Sequence, residues 1–154
     1  MKGITIAEQC HVVNILPPVD INGGVSSDVF SLKNWQHATI LIQTGVTHAA
    51  STVTVEECDD FTPTNDTAIP FAYYEETTAA GDTLSARKQA TTSGFATSAN
   101  DNGFYVIEID AAQLSEGFPN LIVKFSDPGG ATFASAVAIL SGGPGQAITD
   151  TAIA

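Results

Sequence analysis

His37-Ala-Thr-Ile-Leu-Ile-Gln-Thr44 is followed by Gly45-Val-Thr-His-Ala-Ala50 and then by Ser51-Thr-Val-Thr-Val-Glu-Glu57. Two β-branched runs flank a small-residue stretch, a pattern that predicts a β-hairpin. In the second run Val53 and Val55 fall on one face, with Thr52, Thr54 and Glu56 on the other. Ile40-Leu41-Ile42 is apolar on both faces, which places that strand centrally or under a cover. A lone hairpin is marginal in water, so the rest of the chain has to supply further strands.

It does so at short intervals. His11 to Leu16 reads as a strand that stops at Pro17-Pro18, because proline removes a ladder donor. Val29 to Leu32, Ile69 to Tyr74, Gly103 to Ile109, Leu121 to Phe125 and Ala131 to Leu140 continue the series. In Gly103–Ile109 the alternation is clean: Tyr105, Ile107 and Ile109 oppose Phe104, Val106 and Glu108. In the last run Phe133, Val137 and Ile139 share a face, and the other face is nearly all alanine, which suits close approach of a second layer.

One short helical turn is expected after Asp110, and another is conceivable after Thr5. Thr5 and Glu8 have capping-box spacing, as do Asp110 and Gln113, with Gly117 as the stop. From Thr77 to Asn102 the pattern is weak: a short strand is conceivable within 82–90, and 91–102 reads as a small, polar loop with one aromatic, Phe95. The sum is an all-β chain: an antiparallel β-sandwich of about eight strands, the jelly roll among the forms left open, with one short helix near 110–116. Residues 1–20 form an N-terminal arm or edge element, 21–142 the sandwich, and 143–154 a flexible tail.

Charge excludes some functions. The 154 residues carry 17 acids against 5 bases, a net charge of −12. That disfavours nucleic acid as a partner, since phosphate is neutralised by basic patches. It equally disfavours an anionic membrane surface. Charged residues make up only 14% of the chain, against about 25% in ordinary soluble domains. Such a surface is either one that packs on other chains or a Thr/Ser/Gly-rich β surface. The first ten residues hold no long apolar stretch of the secretory kind, so Cys10 and Cys58 are expected as free thiols.

No nucleophile-and-base signature, phosphate loop or His-Glu-x-x-His motif occurs, so an enzyme is not expected and no cofactor is called for. His37 and His48 fall at opposite ends of one strand, about 20 Å apart, too far to share a metal. The acid-rich stretch Glu56, Glu57, Asp59, Asp60 and Asp66 lacks EF-hand spacing and reads as a solvated turn. Trp35, the sole tryptophan, is either a ring at the core's edge or an interface anchor.

Several segments resemble those of a known family. Ser31-Leu-Lys-Asn-Trp-Gln-His-Ala-Thr-Ile40, Gly45-Val-Thr47 and Thr52-Val-Thr-Val-Glu-Glu-Cys-Asp-Asp-Phe61 are similar to small structural proteins of tailed bacteriophages. So are Phe71-Ala-Tyr-Tyr-Glu-Glu-Thr77, Gly81-Asp-Thr-Leu84, Tyr105-Val-Ile-Glu-Ile-Asp110 and Ala134-Ser-Ala-Val-Ala-Ile-Leu-Ser-Gly142. The resemblance runs over roughly residues 12–142 and points to head decoration (cement) proteins. It implies a virion component on the capsid exterior, made in the host bacterial cytoplasm and bound to the major capsid protein. It also implies a homo-oligomer, a trimer before a dimer, with no catalytic residues. Ile15, Leu16, Pro17, Pro18 and Val19, together with Trp35, are the expected capsid or subunit contacts, because apolar residues there adjoin Pro-Pro without a periodic core pattern. Two other readings stay open: a tail or neck component, and a sandwich that binds carbohydrate or a host surface through Trp35, Tyr73 and Tyr74.

Overall fold

The computed structural model describes residues 3–78 and 81–143. The expected tail therefore lies, from residue 144 on, outside the described residues. Among the described residues a single helical turn, α1 (Ile6–Gln9), leads into twelve strand segments. These are β1 (His11–Asp20), β2 (Val25–Ser26), β3 (Phe30–Ser31), β4 (His37–Thr44), β5 (Thr52–Cys58) and β6 (Asp66–Ala68). Then follow β7 (Phe71–Glu76), β8 (Lys88–Ala90), β9 (Phe95–Ala96), β10 (Phe104–Asp110), β11 (Asn120–Phe125) and β12 (Phe133–Ser141). Five of them are only two or three residues long, which is why periodicity resolves about eight.

The strands form two antiparallel sheets. One runs β1-β12-β4-β10-β7-β8; the other runs β2-β11-β5-β6, with β3 also on β11 and β9 also on β5. The pairings are nested: β1 with β12, β2 and β3 with β11, β4 with β10, and β5 with β9. A chain folded back on itself and then rolled so that successive pairs fall in alternate sheets is a jelly roll. β7 and β8 extend the first sheet beyond that frame.

The local hairpin does not form. β4 belongs to the first sheet and β5 to the second, so residues 45–51 carry the chain across the sandwich. The same alternation serves this arrangement: Ala38, Ile40 and Ile42 face Val53 and Val55 through the core, all fully buried. The crossing is held by distant partners. The Gly45 amide donates to the Phe133 carbonyl at 2.7 Å, and His48 N donates to Thr132 Oγ1 at 3.0 Å. Ser51 Oγ donates to the Ser126 carbonyl at 2.8 Å, and its backbone bonds Thr97 in both directions. The central place expected for Ile40–Ile42 is found, with β12 on one side of β4 and β10 on the other.

β1 differs from expectation too. It does not stop at Pro17-Pro18 but continues to Asp20, with register shifts between Asn14 and Leu16 and between Leu16 and Val19. An edge strand tolerates prolines that face away from the ladder, and bulges absorb the mismatch. Ile15 and Leu16 are part of the core, so the sandwich begins before residue 21. Near residue 110 the helix is a three-residue 3-10 turn, Ala111–Gln113; the Asp110 amide donates to Gln113 Oε1 at 2.9 Å, and Gly117 follows at φ +85°. At α1 the Thr5 side chain makes no capping bond.

Phe95 is in the core rather than in a loop. It stacks on Tyr73 with ring centroids 4.3 Å apart and meets Phe71 edge-on at 6.0 Å. Gly94 places it: φ is +74°, and a Cβ there would lie 1.9 Å from the Val53 carbonyl oxygen. Among the described residues no helix is long and apolar enough to cross a membrane.

Candidate docking face

The outer face of the β1-β12-β4-β10-β7-β8 sheet is where sequence and structure combine into a site. Alternation sends Ala134, Ala136 and Ala138 inward, where small side chains let the second sheet approach. It sends Phe133, Val137 and Ile139 outward. In register, Asn14, Val137, Leu41, Val106 and Tyr74 form one row across five strands. Val12 and Ile139 start the next row. Val106 is only 8% exposed yet stands outside the inner core cluster, so it is buried by its neighbours on this outward row.

Charge is absent from one half of this face. β1, β12 and β4 contain a single Asp, Glu, Lys or Arg, which is Asp20 at the end of β1. Its Oδ1 accepts the Asn22 and Thr132 amides at 3.0 and 3.1 Å. The acids are elsewhere. Glu56, Glu57 and Asp66 lie on β5 and β6, Glu75 and Glu76 on β7, and Glu108 and Asp110 on β10.

Exposed apolar side chains follow the same division. Among the described residues the large exposed hydrophobics are Ile4, Ile6, Val12, Val19, Val46, Leu84 and Phe133. All but Leu84 lie on β1, at the start of β12, or on the segments that enter β1 and leave β4. Val12 is 46% exposed, Phe133 45% and Val46 65%. Pro18, Gln43, Phe133 and Ser135 border a shallow depression at one end of the face.

The residues expected as contacts are thus split. Pro17, Pro18 and Val19 are exposed. Ile15 and Leu16 are buried in this chain's own core and cannot serve as contacts while it is folded. Trp35 is also buried, its ring stacked on His11 at 5.8 Å, and a Cβ on Gly143 would come within 2.4 Å of it. Nor do Trp35, Tyr73 and Tyr74 make one sugar-binding platform: Tyr73 points inward onto Phe95, Tyr74 outward, and Trp35 packs beside β1. Sequence reasoning missed Val12, Val46 and Phe133, although the run without charge from residue 34 to 55 and the uncharged β12 were visible in the sequence.

Polar detail surrounds the face. His37, at the end of β4, has Nε2 2.5 Å from Glu108 Oε2 and Nδ1 2.6 Å from Asp110 Oδ1. Partial burial pulls this imidazole's pKa down, but the hydrogen bonds and charges of the two carboxylates more than reverse that, leaving it above the ordinary 6.5. Beside it, Trp35, Gln36, Asp110 and Gly142 border an open groove of about 540 Å³. On the opposite sheet Lys124 bridges Glu56 and Asp66. In the acid-rich turn Asp59 accepts from Asn65 and Thr64, and the Asn65 amide above all lowers its pKa to about 2. Cys10 and Cys58 are both free thiols.

Neither a protein-family model nor a curated protein matches this chain. Among solved structures it is similar to SPBc2 prophage-derived protein YomS, at 12% identity over 90% of this chain and 99% of that one, with a TM-score of 0.49. A structure of infectious bursal disease virus, Gt strain, matches at 6% identity over 93% of this chain and 37% of that one, with a TM-score of 0.24. Infectious bursal virus derived T=1 particles match at 12% identity over 89% and 38%, with a TM-score of 0.18. Overlaps at these scores carry nothing about function.

Proposed function

We propose that the protein is a structural component of a tailed-phage virion, a decoration protein that binds the outside of the head through the major capsid protein and reinforces the shell as a symmetric oligomer. The observation that carries this reading is the segregation of the surface. An acidic sandwich carries a single acid, Asp20, on the three strands β1, β12 and β4; of its large exposed apolar side chains Val12, Val19 and Phe133 lie on those strands, and Ile4, Ile6 and Val46 lie on the segments next to them. Exposed apolar side chains on a surface clear of charge mark a place where another protein docks. The family resemblance over residues 12–142 supplies the setting.

Co-sedimentation with undecorated capsids of the source phage, run beside isolated tails, tests the proposal. Saturable binding to capsids at a fixed ratio to the major capsid protein is expected. Binding to tails alone, or to neither particle, would overturn it. Removing residues 1–20 is no test, because it takes away β1 and three core side chains with it, those of Val13, Ile15 and Leu16.

A further inference from the structure

We infer that the docking face is anchored at one end, where the depression beside Phe133 receives a bulky uncharged side chain, aliphatic or aromatic, projecting from the capsid partner. The inference rests on the decoration role proposed above and names the feature of the partner that its docking face recognises.

Strand pairing assembles this end from three segments. β1 and β4 both run antiparallel to β12, so the close of β1, the close of β4 and the start of β12 coincide. Val19, Val46 and Phe133 therefore meet there, and Phe133 is the one aromatic among the large exposed hydrophobics of the described residues. The depression beside Phe133 has a volume of about 350 Å³. Its backbone is already bonded. The Gly45 amide donates to the Phe133 carbonyl at 2.7 Å, the Phe133 amide to the Val46 carbonyl at 3.0 Å, and the Asn102 amide to the Gly45 carbonyl at 3.0 Å. On the other side Phe133 is paired with Asp20 of β1. Gly45 borders the depression without filling it, whereas a Cβ there would lie 3.5 Å from that of Phe133. A pocket held in this way needs little ordering when it is filled.

Charge selects the occupant. The chain has 17 acids, yet none of the described residues bordering the depression is Asp, Glu, Lys or Arg. The acids that adjoin it in sequence are turned to backbone. Asp20 Oδ1 accepts the Asn22 and Thr132 amides, and Asp101 Oδ1 accepts the Thr47 amide at 2.8 Å. A charged side chain entering here would leave water without a counter-charge, whereas an apolar one gains by the same move. The groove at the other end of β4 is unlike it, because His37 and Asp110 border that one and an apolar guest would strip water from them. Gln43 and Asn102, both exposed, stand at the rim beside Phe133. Their side-chain amides offer donors and acceptors to the partner's backbone on either side of the inserted residue.

Affinities for undecorated capsids, measured by co-sedimentation of the full chain, test this. Phe133→Ala removes one wall and should weaken binding about thirtyfold or more, the size of a hot-spot truncation. Val12→Ala, at the other end of β1, should weaken it less than about threefold. Gln43→Trp is the deciding variant. It adds apolar area to the face but fills the depression, so a socket predicts weaker binding and a merely adhesive face predicts tighter binding. Gln43 is exposed, so the fold tolerates this change even if Phe133→Ala disturbs it, and urea unfolding of each variant checks that. A wild type that binds while Phe133→Ala binds equally well, or a Gln43→Trp that binds more tightly, would overturn the anchor and leave the decoration role standing. A wild type that ignores capsids sinks the decoration role and the anchor with it.

Discussion

His37 Nε2 lies 2.5 Å from Glu108 Oε2, reaching diagonally across the β4–β10 ladder, in which His37 itself is paired with Asp110. A neutral imidazole has one N–H, yet both ring nitrogens here face a carboxylate oxygen, so the arrangement is that of an imidazolium. Thr39 Oγ1 also donates to Glu108 Oε2, at 2.7 Å.

The sign of the pH dependence follows. His37 has a folded-state pKa above its ordinary 6.5, so its contribution to stability is complete below that value and is lost as pH rises through the folded pKa. Solvent screens the partly exposed cluster, so the contribution is about 1 kcal/mol or less. Urea unfolding of wild type and His37→Gln should differ at acid pH and converge on the alkaline side. A difference that does not change with pH would show that the imidazolium clamp contributes nothing.

Gly94 is the position least able to change. Its φ of +74° and the 1.9 Å approach to the Val53 carbonyl act together, and Phe95 hangs on both. Gly94→Ala should cost about 2 kcal/mol or more, because β9 must leave β5 to make room. Gly117, at φ +85° with nothing within 4 Å, is the control: Gly117→Ala should cost only the left-handed strain, about 1 kcal/mol. Equal costs in chemical denaturation would mean that the close approach to Val53 does not matter.

The two thiols should react differently. Burial, with Asp66 and Glu56 alongside, pushes Cys58 up to about 11, and its side chain is fully buried. The thiolate is the reactive form, so Cys58 should be inert in the folded protein. Mass spectrometry after alkylation at mildly alkaline pH should find one label, on Cys10, and a second only after denaturation. Rapid labelling of Cys58 in the native protein would contradict its place beneath the β5–β6 turn.

How far the fold could be read in the sequence depends on whether its determinants are local. The alternation of Tyr105, Ile107 and Ile109 against Phe104, Val106 and Glu108 is set by the pleat alone, and the structure keeps it. The alanines of β12 face inward for the same reason. Strand pairing is different. A period of two tells which side chains share a face, not which strand lies alongside. β4 and β5 alternate equally well as a hairpin or across a sandwich, and what separates them is anchoring to Phe133, Thr132, Ser126 and Thr97. Phe95 was hidden because its apolar partners Tyr73, Phe71 and Tyr105 are all distant in sequence. For the site, Pro17, Pro18 and Val19 could be found as exposed from the proline break. Ile15 and Leu16 could not be told from them, because their burial comes from the bulged pairing with β12.

Ala136 and Val137 are neighbours on β12 with opposite tasks, and one pair of substitutions separates them. Ala136 is fully buried, opposite Leu16 on one side and Ile42 on the other. Ala136→Leu forces extra volume between the sheets and should cost about 1–3 kcal/mol of folding stability. Val137 points out of the sheet, between Asn14 and Leu41. Val137→Ser should cost about 1 kcal/mol or less, as outward substitutions do. Its effect should instead appear in capsid co-sedimentation, because it removes apolar area from the centre of the proposed docking face. Unfolding and sedimentation read together decide the matter. If Val137→Ser destabilised the fold as much as Ala136→Leu and left capsid binding unchanged, the outward row would be a structural layer of the single chain, not a surface for docking.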